Sequence, residues 1–313
     1  MRKPLSLLFS AVILSATAGC LVSMPESNPL PEWNDNLLVT TRELARRLND
    51  PRTVIVHVGR DRASYDAGHI PGARFLPLSS LVTEANGLPN ELPPAPQLEA
   101  AFEGVGVSDN SRVVLYGDLA GLAAARAFFS LDYLGKIDGA LLDGGLEQWR
   151  AENRPVETAA PEARQGSLTV RLRPDVLADA DFIRANLGND STMVFVDARP
   201  RAEFTGETPG EGITRPGHIP GAHSMFWRDA LVSQTDMRLR SPQVLAAAYT
   251  LADAAQRDTV VVYCRTGVQA SHAYFVARYL KRPVKLYDGS FIDWSRRGEE
   301  YPVERGTGDE GGS

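Results

Sequence analysis

Short apolar runs alternate with longer helix-forming stretches along most of the chain. In the C-terminal half, the runs at 194–197, 260–263 and 284–287 have the continuous β-branched and aromatic pattern of strands that are buried on both faces. Stretches of good helix formers lie near 241–255 and at 270–281. Strands that alternate with helices predict an α/β fold, in which helices cover both faces of a parallel sheet.

The same landmarks occur twice along the chain and in the same order. The segment Gly-His-Ile-Pro-Gly-Ala at 68–73 returns 149 positions later at 217–222, and the apolar strand at 113–116 returns 147 positions later at 260–263. Further pairs follow at nearly the same offset: Asp-Gly at 143–144 and 288–289, Trp149 and Trp294, and Pro-Val-Glu at 155–157 and 302–304. A period near 150 residues is far too long for a solenoid and indicates a duplicated domain.

The repeat predicts two tandem domains, at 37–157 and 168–304. The segment between them, 158–167, is rich in Ala, Pro, Gln and Gly and has little apolar pattern, so we interpret it as a linker. The last residues, 305–313, are acidic and glycine-rich and are predicted to form a flexible tail.

The start of the chain has the features of an export signal. A positively charged beginning precedes an apolar stretch at 5–16, which is too short to span a membrane as a helix. It ends in Thr-Ala-Gly-Cys at 17–20, which resembles a bacterial lipobox. We therefore expect a signal peptide at 1–19, a lipid on Cys20, and a proline-containing tether at 20–36. The expected location is the cell envelope, on the outer membrane facing the periplasm in a Gram-negative host. An ordinary secretory signal cleaved nearby is the alternative.

Composition and charge exclude several classes of function. The net charge of −6 over 313 residues argues against a nucleic-acid partner. Two cysteines with separate explanations leave no disulfide framework. No pair of the five histidines has the spacing of a helical zinc motif, and no phosphate-binding glycine loop is present. We expect no metal and no cofactor.

The second cysteine, Cys264, directly follows a predicted strand and precedes a predicted helix. The turn between them is Cys264-Arg265-Thr266-Gly267-Val268-Gln269, and its glycine permits a left-handed backbone. Successive backbone N–H groups and the positive end of the helix would then point at the sulfur. The carboxyl ends of parallel strands are also where such sheets bind ligands. We interpret Cys264 as a reactive thiol; a buried structural cysteine is the alternative.

Taken together, these residues resemble the tandem-domain rhodanese family, the thiosulfate and 3-mercaptopyruvate sulfurtransferases. The resemblance covers about residues 37–304. It rests on the paired Gly-His-Ile-Pro-Gly-Ala segments, on Val-Asp-Ala-Arg at 196–199, on the Cys-Arg-Thr-Gly-Val loop and on the closing segment at 287–294. It implies two tandem rhodanese-like domains, each a parallel β-sheet flanked by helices.

The resemblance also implies a chemistry for the loop. The Cys264 thiolate would take the outer sulfur of a small anionic donor such as thiosulfate, become a persulfide, and pass that sulfur to a thiophilic acceptor such as cyanide. Thiolate chemistry of this kind calls for a lowered pKa, as helix N-termini and nearby cations provide. The loop amides from about Arg265 to Gln269, which include those of Thr266, Gly267 and Val268, would hold both anions.

Other residues would support this site. Arg265 would attract the donor anion, and Arg199 would support the site from a neighbouring strand end. Asp197 would brace the loop by accepting hydrogen bonds, with a purely structural carboxylate as the alternative. Trp227 would line the cleft, and core packing is its alternative.

Three departures from the family pattern qualify this expectation. Family loops of the form Cys-Arg-Lys-Gly-Val accompany thiosulfate and Cys-Gly-Ser-Gly-Val loops accompany mercaptopyruvate, whereas this loop keeps the arginine and has Thr266 in place of the lysine. The family also has a second arginine four residues after the position of Arg199, and this chain has Glu203 there. In the first copy, Gly117 stands where Cys264 stands in the second, and His57 stands where Asp197 does, so the first domain is expected to be non-catalytic.

The alternatives to a thiosulfate sulfurtransferase are therefore a 3-mercaptopyruvate sulfurtransferase and a persulfide carrier or redox partner, which would deliver sulfur to another envelope protein. A cysteine phosphatase is excluded because Ala270 stands where such an enzyme needs an arginine to clamp phosphate.

Overall fold

The structure is a computed structural model, and it describes residues 32–136, 138–162, 164–189, 192–251 and 258–306. The predicted signal peptide, Cys20, most of the tether and most of the tail lie outside these residues. No helix among the described residues is long and apolar enough to cross a membrane.

The first domain contains a parallel sheet, a small hairpin and covering helices. Its strands are β1 (Leu38–Val39), β2 (Thr53–Gly59), β3 (Arg74–Pro77), β4 (Thr83–Ala85), β5 (Leu88–Glu91), β6 (Arg112–Gly117) and β7 (Gly139–Leu142). Its α-helices are α1 (Thr41–Arg47), α2 (Ala63–Asp66), α3 (Ala95–Gly104), α4 (Leu122–Tyr133) and α5 (Gly145–Ala151). The parallel sheet has the order β1-β7-β6-β2-β3, and β4 and β5 pair antiparallel as the hairpin.

The second domain repeats the sheet of the first. Its strands are β8 (Leu177–Ala178), β9 (Met193–Asp197), β10 (His223–Ser224), β11 (Thr259–Tyr263) and β12 (Val284–Tyr287). Its α-helices are α6 (Ala180–Ala185), α7 (Arg201–Phe204), α8 (Pro242–Leu251), α9 (Val268–Tyr279) and α10 (Ser290–Arg296). The parallel order β8-β12-β11-β9-β10 matches the first sheet strand for strand. The predicted α/β fold of two tandem domains is confirmed.

The central strands are buried on both faces, as their continuous apolar pattern predicts. Val113, Val114 and Leu115 in β6 are fully buried, and so is every residue of β11 from Val260 to Tyr263. Helices on each side of the sheet account for this burial, because β-branched side chains from both faces of the strand pack against them. The carboxyl end of each central strand is therefore held at a fixed position.

The two domains pack through α4 and α9. Phe128 and Phe275 meet edge to face with their ring centroids 4.9 Å apart. Beside them, Asp132 on α4 accepts hydrogen bonds from Tyr274 Oη at 2.7 Å and from Arg278 Nε at 2.8 Å, both on α9. Because each of these helices directly follows the carboxyl end of its central strand, this packing brings the first domain against the Cys264 loop of the second.

The predicted linker continues along the surface of the first domain. Gly166 donates its N–H to Glu103 O at 2.7 Å, and Thr169 donates its N–H to Asp109 Oδ1 at 2.7 Å. Arg171 then donates to Leu134 O at 3.0 Å. The chain from about residue 166 to 171 is thus fastened to the first domain before the second sheet begins.

The histidines of the two repeated turns have a structural role. His69 stacks on Tyr65 with 3.7 Å between ring centroids, and its Nδ1 lies 2.9 Å from Tyr65 O. His218 repeats both contacts with Phe204. Among the described residues, no group of three His, Cys, Asp or Glu side chains is arranged to hold a metal ion.

Candidate active site

Cys264 lies at the carboxyl end of β11, the central strand of the second sheet. The strand ends at Tyr263, the next residue is Cys264, and α9 begins at Val268. The sequence pattern predicts this position, which is where open parallel sheets bind ligands. The residue is only 1% exposed, so the protein encloses its sulfur almost completely.

Backbone amides surround the Cys264 sulfur. The N–H groups of Thr266, Gly267, Gln269 and Ala270 donate to it. Gly267 makes this curve possible, because its φ of +85° is a conformation that L side chains rarely adopt, and an added Cβ would stand 2.8 Å from Asp288 Oδ1. The loop therefore forms a concave set of donors that can stabilise either a thiolate or an anionic persulfide.

The start of α10 supports the loop from beneath. The Cys264 N–H donates to Ser290 Oγ at 3.2 Å, and Ser290 Oγ donates to Tyr287 O at 2.8 Å. The carbonyl oxygens of Cys264 and Arg265 accept from the N–H groups of Phe291 and Ile292, at 2.9 and 3.1 Å. These bonds hold the backbone of the loop while its other amides remain directed at the sulfur.

Burial raises the pKa of the Cys264 thiol, and the four loop amides lower it without cancelling the effect of burial. The expectation that the loop brings the pKa below that of a free thiol is therefore wrong. The physical reason is the complete enclosure of the sulfur, which removes water from the thiolate and disfavours the charged form. The sequence identified the amides but could not reveal how deeply they are covered.

We expect the rate of persulfide formation to rise with pH and to keep rising above about pH 8.5, the ordinary pKa of a free thiol. Only the thiolate attacks, and a raised pKa leaves less thiolate at each pH, so the rate increases by about tenfold per pH unit below the pKa. Single-turnover kinetics with excess thiosulfate measure this profile. A plateau below neutral pH would show that the amides outweigh burial.

A second group titrates near the site and needs its own control. Burial and, after it, the charge of the nearby Asp288 raise the pKa of Glu91, on β5, to about 7. A Glu91→Gln variant removes this titration. The inflection that survives in that variant belongs to Cys264.

Asp197 and Arg199 form a buried pair at the end of β9. Arg199 Nε donates to Asp197 Oδ1 at 2.9 Å and to Oδ2 at 3.0 Å, and its N–H donates to Oδ1 at 3.0 Å. Burial alone would lower the pKa of Arg199, but the Asp197 carboxylate raises it. Arg199 thus binds both oxygens of the Asp197 carboxylate, which was expected to accept hydrogen bonds from the cysteine loop. The structure favours the alternative, a structural carboxylate at the strand end.

Arg265 is not the free cation that the sequence predicts. Its Nε donates to Glu203 Oε2 at 3.1 Å and its Nη2 donates to Glu203 Oε1. The hydrogen bond to Glu203 raises the pKa of Arg265 and keeps it charged. The guanidinium still lies beside the loop, but a buried carboxylate already binds its Nε and Nη2 and balances its charge.

The remaining predicted residues divide between the site and the core. Thr266 Oγ1 accepts a hydrogen bond from Asn90 Nδ2 at 3.0 Å. Gln269 Oε1 is buried and has no hydrogen-bond partner among the described residues. Trp227 is only 6% exposed and meets the His272 ring edge to face with 5.5 Å between centroids. The expectation that Trp227 lines the cleft is corrected, since it packs in the core.

Sequence reasoning missed the residues that the first domain contributes to this site. Arg126 on α4 is fully buried, and its Nη1 donates to Asp288 Oδ1 at 2.6 Å. Its Nη2 donates to Asn90 O at 2.9 Å. The Leu92 N–H donates to Asp288 Oδ2. Asp288 lies directly against Gly267, so these contacts connect the hairpin and α4 of the first domain to the catalytic loop.

The equivalent site of the first domain has no room for a cysteine. Gly117 ends β6 at the position of Cys264, and an added Cβ there would stand 1.9 Å from Val58 O. Beside it, Ser64 Oγ donates to Asp118 Oδ1 at 2.9 Å, and His57 Nε2 lies 3.4 Å from the same oxygen. The backbone itself therefore prevents a nucleophile at this position, which supports a non-catalytic first domain.

A thiol enclosed by amides can attack a sulfur atom, and the same amides can hold the persulfide that results, since both species carry one negative charge on sulfur. Together with the duplicated parallel sheet, this arrangement defines a sulfurtransferase of the two-domain type. The pattern of the Rhodanese-like domain family matches residues 40–152 and 179–297, and the chain belongs to that family.

Several known proteins are similar to this chain over most of its length. The thiosulfate sulfurtransferase of Corynebacterium glutamicum is 31% identical over 294 residues, covering 89% of this chain and 95% of the relative. The sulfur carrier protein TtuD of Thermus thermophilus is 32% identical over 269 residues, covering 82% and 93%. The crystal structure of SseA from Escherichia coli, a 3-mercaptopyruvate sulfotransferase with the rhodanese fold, matches with a TM-score of 0.70 and 27% identity over 81% of this chain and 98% of that one.

The chain is thus a sulfurtransferase that moves sulfane sulfur from a donor such as thiosulfate to a thiophilic acceptor.

Proposed function

We propose that Cys264 is the nucleophile of this sulfur transfer and carries the sulfur as a persulfide between donor and acceptor. The observation that supports this assignment is the ring of four loop amides around a cysteine at the end of the central strand. The thiolate attacks the outer sulfur of thiosulfate, sulfite leaves, and the persulfide rests in the same cradle. An acceptor such as cyanide then takes the terminal sulfur and restores the thiolate.

Steady-state turnover with thiosulfate and cyanide, compared with 3-mercaptopyruvate and cyanide, tests this function and its donor. We expect turnover with thiosulfate and trapping of a sulfur adduct on Cys264, which mass spectrometry of the isolated protein detects. A preference for mercaptopyruvate would indicate that the protein is a 3-mercaptopyruvate sulfurtransferase. Absence of any adduct on Cys264 with either donor would refute the assignment of the nucleophile.

A sulfur carrier is the second candidate, and a relative named as a sulfur carrier protein favours it. The two functions use the same persulfide and differ in the acceptor. Single-turnover transfer from persulfidated protein to cyanide distinguishes them. Persulfide that forms rapidly from thiosulfate but persists in the presence of cyanide would indicate delivery to a protein acceptor.

We also propose that the protein is anchored to the cell envelope by a lipid on Cys20, on the outer membrane facing the periplasm in a Gram-negative host. The support is the lipobox-like Thr-Ala-Gly-Cys at 17–20, which lies outside the described residues. Leu21, not aspartate, follows the cysteine and resembles an outer-membrane sorting signal. Bacterial lipoproteins carry more than one acyl chain, which gives the two signals that stable anchoring requires.

Fractionation of cells that express the full chain tests the anchor. We expect the protein in the membrane fraction and a Cys20→Ser variant outside it, because the variant cannot be acylated. Cys264→Ser is the matched control and is expected to stay with the membranes. Recovery of the unaltered chain in the soluble envelope fraction would show that 1–20 belong to an ordinary signal peptide.

A further inference from the structure

The carboxylate of Glu203 forms a hydrogen-bonded ion pair with the guanidinium of Arg265, the residue that directly follows Cys264. Arg265 Nε donates to Glu203 Oε2 at 3.1 Å and Arg265 Nη2 donates to Glu203 Oε1. Two roughly parallel bonds of this kind occupy one edge of the guanidinium, and the carboxylate balances its charge, so an oxyanion of a donor meets no uncompensated cation there. The Glu203 side chain is 8% exposed and that of Arg265 is 35% exposed, so the pair runs from the interior to the surface beside the loop.

Glu203 belongs to a line of alternating charges. Its Oε2 lies 4.0 Å from Arg199 Nη1, and Arg199 is paired in turn with Asp197. With Arg265, these side chains carry two positive and two negative charges, so the group has no net charge with which to attract an anion. Arg126, which also lies beside the loop, is paired with a carboxylate as well.

A chain segment of the second domain covers this pair. The stretch at 204–218 is ten residues longer than its first-domain counterpart at 65–69, which is bounded by the same stacked aromatic and histidine. Within it, an added Cβ on Gly210 would stand 2.6 Å from Arg265 Nε and 2.7 Å from Glu203 Oε2. Backbone this close shields the bonded Nε and Oε2 from water on one side, which strengthens the ion pair.

We propose that Glu203 determines donor specificity: it keeps Arg265 neutralised, so that Cys264 favours sulfane-sulfur donors that carry less negative charge than thiosulfate. The inference rests on the proposed role of Cys264 as the persulfide carrier. With thiosulfate, the thiolate attacks the outer sulfur, the S–S bond of the donor breaks, and sulfite leaves with its electron pair: Cys–S⁻ + S₂O₃²⁻ → Cys–S–S⁻ + SO₃²⁻. Three negative charges then share the space beside the Glu203 carboxylate.

Donors of lower charge follow the same steps with less repulsion. A thiosulfonate expels a sulfinate, Cys–S⁻ + R–SO₂–S⁻ → Cys–S–S⁻ + R–SO₂⁻, so that thiolate and donor together carry two negative charges in place of three. A protonated organic persulfide expels a thiolate, Cys–S⁻ + R–S–SH → Cys–S–SH + R–S⁻, and the total is one. Because each additional negative charge finds no uncompensated positive charge beside the loop, this class of donor is favoured over thiosulfate.

Single-turnover rate constants for thiosulfate and methanethiosulfonate, which differ by one charge at nearly the same shape, test the proposal. In the unaltered protein we expect the second-order rate constant for methanethiosulfonate to exceed that for thiosulfate. In Glu203→Gln, the positive charge of Arg265 is no longer balanced and the amide oxygen can keep only part of its hydrogen bonding, so we expect the thiosulfate constant to rise by about tenfold or more while the methanethiosulfonate constant rises much less. The ratio of the two constants is the diagnostic quantity.

Glu207→Gln is the matched control, since it removes one negative charge from an exposed side chain of the same covering segment. We expect it to leave the ratio unchanged. In Glu203→Gln/Arg265→Gln, the gain for thiosulfate should disappear, because the guanidinium that produced it is gone. An unchanged ratio in a folded Glu203→Gln variant would overturn the proposal.

Salt dependence of the unaltered protein keeps the test independent of how well the variant folds. A neutralised Arg265 predicts that added salt changes the thiosulfate rate constant little, whereas a free cation would make it fall steeply. A steep fall in the unaltered protein therefore contradicts the proposal. If neither donor leaves a sulfur adduct on Cys264, the proposed nucleophile fails first; if both do and the ratio resists Glu203→Gln, only the role of Glu203 fails.

Discussion

A Cys264→Ser variant is expected to lose sulfur transfer by at least about 10³-fold while keeping its fold. A hydroxyl cannot accept sulfane sulfur, so no persulfide forms and both halves of the reaction stop. The serine Oγ occupies nearly the volume of the sulfur and can accept from the amides that now surround it, so the loop has no reason to open. Turnover with thiosulfate and cyanide, alongside the urea midpoint of unfolding, measures both expectations.

The chain provides its own control, because its other cysteine, Cys20, lies far along the sequence in the predicted signal region. A Cys20→Ser variant is expected to keep full turnover although its location changes. Retention of more than a trace of activity in a folded Cys264→Ser variant would mean that another group receives the sulfur.

The sequence repeat predicts the architecture well because each landmark marks a strand end or a turn. The paired turn segments and the paired apolar strands place equivalent residues at equivalent positions, so the observed sheets have the same strand order. The cysteine loop is predicted for the same reason, since its strand, glycine and helix are adjacent along the chain. Local sequence is sufficient to predict features that are formed by residues close together in the chain.

What the sequence does not predict depends on contacts between distant residues. Glu203 is visible as a missing family arginine, but its capture of Arg265 crosses 62 positions. The enclosure that raises the pKa of Cys264 arises from the whole fold. Arg126 did leave one signal: it interrupts an otherwise apolar stretch, Leu122 to Phe129, in a helix that must be buried. A charged residue in such a helix requires a partner, although nothing local says that the partner is 162 positions away.

Arg126 connects the two domains at the catalytic loop, and its loss is expected to have the largest effect on stability. Arg126→Met keeps an unbranched apolar stem but removes the guanidinium, and with it every hydrogen bond that the side chain makes to Asp288, Asn90 O and Leu81 O. The Asp288 carboxylate, 11% exposed, then remains near the interior without its cation. Breaking a buried pair by removing one partner costs about 3–5 kcal/mol, and urea unfolding measures this loss.

A matched variant of an exposed pair shows whether burial is the cause. Arg154 Nε lies 2.6 Å from Glu152 in the same domain, with the two side chains 23% and 33% exposed, so Arg154→Met should cost only about 0–1 kcal/mol. Removing both buried partners in Arg126→Met/Asp288→Asn should recover part of the lost stability, because no unpaired charge is left. If Arg126→Met unfolds no more easily than Arg154→Met, the buried pair does not hold the domains together.

Arg126→Met should also weaken catalysis beyond its effect on folding. Asp288 lies against Gly267, and the amides of this loop are directed at the Cys264 sulfur, so a displaced carboxylate disturbs the cradle directly. We expect a slower single-turnover formation of persulfide under conditions in which the variant is fully folded, and a further rise in the pKa of Cys264 seen as a shift of the pH–rate profile to higher pH. If the variant is less stable but has the same pH–rate profile, Arg126 stabilises the contact between the domains only. The orientation of the loop amides toward the sulfur would then not depend on Arg126.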